Sequence, residues 1–104
     1  MSLLSLTFHA TDTVKEQWLE FMETDLHLMA ENLMQVDGYF LSDIESDMIQ
    51  EGHNSNLLLI FSDKELRDQF MVNELVNIQE RITGRFGTEV MLFHSFINQK
   101  HSRF

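Results

Sequence analysis

Apolar and polar positions alternate from the start of the chain: Leu4, Leu6 and Phe8 share one parity and Ser5, Thr7 and His9 the other. A period of two is the mark of a strand with one strongly apolar face, so residues 3 to 9 are expected as strand one. The period then changes. Val14, Trp18, Phe21, Met22, Met29 and Leu33 recur at helical spacing behind a Thr13/Glu16 capping box, which predicts helix one from about 14 to the mid-30s. Thr24 and Asp25 form a second capping signal inside it, so a kink near 24 to 28 is compatible with the pattern.

Gly38 ends the helix, and residues 39 to 48 read as strand two, with Tyr39, Leu41, Asp43, Glu45 and Asp47 on one face and Phe40, Ser42, Ile44, Ser46 and Met48 on the other. A loop around Glu51 to Asn54 turns the chain back. Leu57 to Phe61 is apolar at every position, which predicts a central third strand covered on both faces. Ser62 and Glu65 form another capping box, and Leu66, Phe70, Leu75, Ile78 and Ile82 define the inner face of helix two, with Gly84 as its C-cap. Residues 88 to 97 form strand four, apolar on both parities: Val90, Leu92 and Phe96 on one, Met91, Phe93 and Ile97 on the other.

The order β-α-β-β-α-β with right-handed crossovers predicts an α+β, ferredoxin-like split βαβ fold. Its four-stranded antiparallel sheet has order 4-1-3-2, with both helices on one face. Residues 1–104 make a single domain, and 98–104 are expected as a frayed C-terminal tail. Two helices cover one sheet face only, while strands three and four are apolar on both, so the second face needs a cover. A second copy of the chain is the economical one, which predicts a homodimer through the sheet face.

Composition narrows the function classes. The 104 residues are 43% hydrophobic and contain no proline and no cysteine, which fits a folded domain in a reducing cytoplasm and removes disulfides, thiolate catalysis and cysteine metal sites. Seven Lys/Arg against seventeen Asp/Glu give a net charge of −10, which repels nucleic acid and anionic lipid. Arg81, Arg85, Lys100 and Arg103 lie near the C-terminus and are read as solvated. No basic leader and no 18-residue apolar run is present, so neither export nor a membrane span is expected.

The matching stretches Glu16-Gln17-Trp18-Leu19-Glu20-Phe21-Met22, Gly38-Tyr39-Phe40 and Arg85-Phe86-Gly87 resemble the small domain-of-unknown-function family numbered 4286, whose members resemble dimeric α+β barrel proteins. The resemblance covers nearly the whole chain and implies a fold and a dimer but no activity. One segment departs from the family pattern: where the family shows a Thr-Glu-His-Ile-Pro-like run, this chain has Thr24-Asp25-Leu26-His27-Leu28. A shift of one place is about 100° of helix, so no role of the family histidine transfers to His27. The missing proline also argues against a sharp kink.

Candidate chemistry is sparse. His9 and His94 are the best histidine pair, but matching the midpoints of strands one and four sets His94 near Ser5 and His9 near Val90. That separation of about four residues, roughly 13 Å, is awkward for one ion. Neither a metal nor a cofactor is expected. Asp43, Glu45, Asp47 and Glu51 form an acidic row that reads as protection of an edge strand. Trp18 with Phe21 and Met22 is either core or the floor of an apolar cavity. Asp25, seven residues after Trp18, is a partly buried carboxylate if helix one is continuous and only a cap if it breaks.

Two functions follow as expectations. One is a homodimeric domain of unassigned role that binds a small apolar or amphipathic molecule at His9, Trp18, Asp25, Tyr39 and His94. The alternative is a cofactor-independent enzyme, of oxygenase, isomerase or dehydratase type, using such His, Asp and Tyr groups for proton transfer in a cavity beside the sheet.

Overall fold

A computed structural model describes residues 1–45 and 51–103. Ser46 to Met48 of the expected second strand, and with them Asp47 of the acidic row, lie outside the described residues. The elements are β1 (Ser2–Ala10), α1 (Lys15–Phe21), a π-helical segment (Met22–Leu26), α2 (His27–Glu31), β2 (Gly38–Ile44), β3 (His53–Phe61), α3 (Lys64–Val72), α4 (Glu74–Phe86) and β4 (Val90–Asn98). The antiparallel sheet has the order β2-β3-β1-β4, as the ferredoxin-like reading requires.

Cross-strand partners share a face, and the register therefore sorts every strand residue. Leu4 lies between Leu59 and Phe96, Leu6 between Leu57 and His94, and Phe8 between Ser55 and Leu92. This parity carries the core, in which Leu4, Leu6, Phe8, Leu57, Leu59 and Phe61 are all fully buried. Trp18, Phe21, Leu26 and Ala30 from the first helical unit pack on it, with Phe70, Leu75, Ile78, Ile82 and Phe86 from the second.

Helix one contains a π-helical turn over Met22–Leu26 between its two α-helical stretches. The backbone N–H of His27 donates to the carbonyl of Met22, five residues back, so one extra residue is accommodated in the turn. A regular helix would carry Asp25 inward beneath Trp18. The added residue advances the phase by one, so that Leu26 is fully buried and Asp25 turns toward α4. Thr24 contributes by returning its hydroxyl to the carbonyl of Glu20 at 2.8 Å, a bond that bends helices.

Several boundaries differ from expectation. No side chain caps helix one; the chain passes through a short 3-10 turn (Asp12–Val14) instead of a Thr13/Glu16 box, and the Thr11 hydroxyl bonds Glu89. Helix two is capped by Asp63, whose Oδ1 accepts from the Leu66 N–H at 2.9 Å, while Ser62 donates to Asp37 at 3.1 Å. It breaks at Asn73 (φ −117°, ψ −80°) into α3 and α4, and asparagine is a weak helix former. Gly84 stays helical, and the terminus falls at Gly87, whose φ of +60° suits only glycine well. Strand three starts four residues earlier than its apolar run, because Asn54, Ser55 and Asn56 complete ladders to β1 and β2.

Candidate functional site

The sheet face turned away from the helices takes four positions from each strand: Leu3, Ser5, Thr7 and His9 of β1 with their cross-strand partners on β2, β3 and β4. None of these positions holds Asp, Glu, Lys or Arg, although 23% of the chain is charged. Phe40 (61% exposed), Met91 (52%), Phe93 (52%) and Ile97 (39%) all lie on it.

The face is graded from apolar to polar. At one end Leu3, Phe40, Leu58, Ile60 and Ile97 floor a trough of about 840 Å³, walled by the segment from Asn98 to Ser102. At its centre the Asn56 amide donates to Ser5 Oγ at 2.7 Å and to Thr7 Oγ1 at 3.2 Å. At the far end His9 Nδ1 meets Asn54 Oδ1. An amide oxygen only accepts, so Nδ1 carries the ring proton in that pairing. Gly52 crowds the same imidazole: its φ is +77°, and a Cβ there would lie 2.9 Å from His9 Cε1. His9 is thus bonded by Asn54 of β3 and closely approached by Gly52 just before that strand.

The remaining residues singled out from the sequence do not gather around His9. Trp18 is in the core, its indole N–H donating to Ser55 Oγ at 2.9 Å and its ring within 5.6 Å of those of Phe8, Phe21 and Phe86. Asp25 pairs with Arg85 at 3.3 Å on the helical layer, both side chains about half exposed; it is a partly buried carboxylate within a helical run rather than a cap. His94 sits exposed on the edge strand β4, its ring 5.6 Å from that of Phe96. His9 pairs with Met91 and His94 with Leu6. The separation is three positions rather than four, so the two imidazoles point to opposite faces of the sheet. Among the described residues no three His, Asp or Glu side chains form a group able to hold a metal ion.

Tyr39 belongs to a second cluster, where the π-helical segment crosses the β2 edge. Its hydroxyl donates to Glu31, which holds the phenol above its usual titration range, with partial burial and the Glu31 charge adding to the effect. His27 Nε2 lies 3.7 Å from the same carboxylate, and His53 Nε2 lies 2.9 Å from Asp43 Oδ1. His27, Tyr39 and Asp43 line a cavity of about 240 Å³ with Met22, Glu23 and Leu41. Asp43 therefore has an imidazole partner that the edge-protection reading did not supply.

Sequence reasoning missed Ser55, Asn56 and Arg67. The first two lie in the polar run His53-Asn54-Ser55-Asn56, which carries no alternation in the sequence; the alternation along β3 is one of burial and exists only in the structure. Arg67 carried no signal either. It is only 3% exposed, with Nη1 donating to the carbonyls of Leu3 (3.1 Å) and Ile97 (3.5 Å) and to Asn98 Oδ1 (3.2 Å). Its guanidinium lies over Phe96 at 4.7 Å, and no carboxylate pairs with it among the described residues.

Comparison with known proteins places this geometry. Residues 1–100 match the model of DUF4286, described as a domain of unknown function. No curated protein matches the chain. Two solved structures are similar in fold. An ethyl tert-butyl ether D (EthD) family protein from Bacillus halodurans aligns with TM-score 0.68 at 12% identity over 91% of this chain and 97% of its own. HapK from Hahella chejuensis aligns with TM-score 0.68 at 9% identity over 100% of this chain and 97% of its own.

Proposed function

The chain belongs to the DUF4286 family, a domain of unknown function, and on that premise we propose that it works as a homodimer closed through the open sheet face. In that dimer the trough on this face holds a small apolar or amphipathic molecule. The observation that carries this reading is the absence of Asp, Glu, Lys and Arg from the paired strand positions of the face, together with the exposure of Phe40, Met91, Phe93 and Ile97 on it. A sheet face left in water would normally carry charge, whereas the core of an interface is depleted of it. Four strands about 4.8 Å apart and about 30 Å long present roughly 570 Å² per copy, and two such faces exceed the roughly 1,000 Å² that a stable interface needs.

A trough of about 840 Å³ lies within the size range of small-molecule sites, roughly 300 to 1,000 Å³. The hydroxyl and amide row of Ser5, Thr7 and Asn56 supplies the few polar groups that orient a ligand, and His9 stands beyond it. The cysteine-free composition and the net charge of −10 support a cytoplasmic place and speak against nucleic acid as a partner. No helix among the described residues is long and apolar enough to cross a membrane. Native mass spectrometry of purified protein tests both halves: a dimer carrying a bound small molecule is expected, and a ligand-free monomer at micromolar concentration overturns the reading.

A proton-transfer enzyme is the second reading, and the corner cluster is what favours it. His27, Tyr39 and Asp43 converge on one cavity of about 240 Å³, with His53 behind Asp43. A fragment screen followed by NMR distinguishes the two sites. Ligands that shift His27 and Tyr39 while leaving Phe40 unmoved select the corner, and the opposite pattern selects the open face.

A further inference from the structure

We infer that the molecule held on the open face is an amphipathic anion, its apolar chain in the trough and its acidic head beside Lys100 and His101. This rests on the reading of that face as a ligand site. The floor of the trough is aliphatic and aromatic, from Leu3, Phe40, Leu58, Ile60 and Ile97, and among the described residues the ionisable side chains in its wall are Lys100 and His101, both from the segment after β4. No aspartate or glutamate among the described residues lines it. In a chain with seventeen acidic and only seven Lys/Arg residues, a cavity lined at one end by basic groups alone is selective for negative charge.

A second cation lies close by. Asn98, which lines the trough, accepts a hydrogen bond from the buried guanidinium of Arg67. Among the described residues that guanidinium has no carboxylate partner and its Nε has no hydrogen-bond partner. A buried cation met by carbonyls, an amide and a ring keeps its charge, and that charge adds positive potential at the same end of the trough. The opposite end of the face offers hydroxyl, amide and imidazole groups and no cation, so the head of the ligand is directed toward the C-terminal segment.

Three single-chain probes with the same tail, used at micromolar concentration without micelles, test the assignment by calorimetry on the full chain: dodecanoate, dodecan-1-ol and dodecyltrimethylammonium. Dodecanoate is expected to bind at least about tenfold more tightly than the alcohol, the scale of one charge-assisted contact. The exposed double variant Lys100→Gln/His101→Gln should lose that advantage while its affinity for the alcohol is unchanged. Equal binding of acid and alcohol, or preference for the ammonium probe, overturns the anion assignment and leaves the ligand site standing. Failure of all three probes to bind removes the apolar site itself, and the inference with it.

Discussion

The indole N–H of Trp18 donates to Ser55 Oγ at 2.9 Å, across 37 positions of chain and with both residues fully buried. Ser55 stands between His53 and the apolar Leu57, Leu59 and Phe61 on one parity of β3, and its small hydroxyl makes room for the large ring while satisfying the ring's one polar atom. Helix one is thereby fixed over β3 at one point. Trp18→Ala is expected to cost about 3 to 5 kcal/mol by emptying an aromatic site. Ser55→Ala should cost about 1 to 3 kcal/mol by leaving a buried donor unpaired. Urea denaturation of both variants checks this, and exposed, solvent-quenched tryptophan fluorescence in the folded wild type would contradict it.

Phe93 and Leu92 are neighbours on β4 with opposite environments. Phe93 pairs with Thr7 on the open face and Leu92 with Phe8 on the helix-covered face. Phe93→Asp is therefore expected to yield a folded monomer, and Leu92→Asp to destabilise the fold at any concentration. Light scattering combined with circular dichroism separates the two results. A soluble wild-type monomer at micromolar concentration would remove the dimer.

Tyr39 is the only tyrosine in the chain, so its ultraviolet titration is free of overlap from other phenols. The hydrogen bond to Glu31, then partial burial and the charge of Glu31, raise its pKa. A midpoint above the ordinary value of about 10 is expected, moving back toward it in Glu31→Ala. The linkage has a definite sign. The folded state holds the phenolic proton more firmly than the unfolded chain, so the stabilisation is complete below pH ~10 and is lost as pH rises through the folded-state pKa. A wild-type midpoint at or below that of Glu31→Ala refutes the coupling.

Gly52 and Gly84 should respond oppositely to alanine. Gly52 has φ +77°, and a Cβ there would collide with the Ala10 carbonyl and the His9 ring, whereas Gly84 has nothing within 4 Å. Gly52→Ala is expected to destabilise by more than about 1 kcal/mol and to perturb the His9 resonances. Gly84→Ala, inside α4, should stabilise by roughly 0.5 to 1 kcal/mol. Thermal melts with an NMR spectrum of the histidines decide both.

Period-two and period-3.6 patterns reveal elements because they record which side of a segment is buried, and burial is local to each residue. The alternation of Leu4, Leu6 and Phe8 and the inward positions Trp18, Phe70, Ile78 and Ile82 were therefore readable, and the β-α-β-β-α-β order led directly to the strand order. Strand four, apolar on both parities, carried no such record. Only its pairing with β1 turns Phe93 outward and sends His94 to the face opposite His9, and a one-residue change of register reverses that relation.

The π-helical turn was visible only as a competing cap at Thr24 and Asp25. The phase change that buries Leu26 and releases Asp25 to Arg85 depends on packing against the sheet, which no local spacing encodes. Arg67 shows the same division. As a residue type it reads as solvated, and it is buried because α3 lays it against the carbonyls of Leu3 and Ile97, contacts that exist only after β1 and β4 have paired. The sequence by itself determined the elements, their order and the surplus of apolar sheet. Tertiary structure decided the faces, the helix phase and the convergence of distant side chains, because these follow from pairing and packing between segments far apart in the chain.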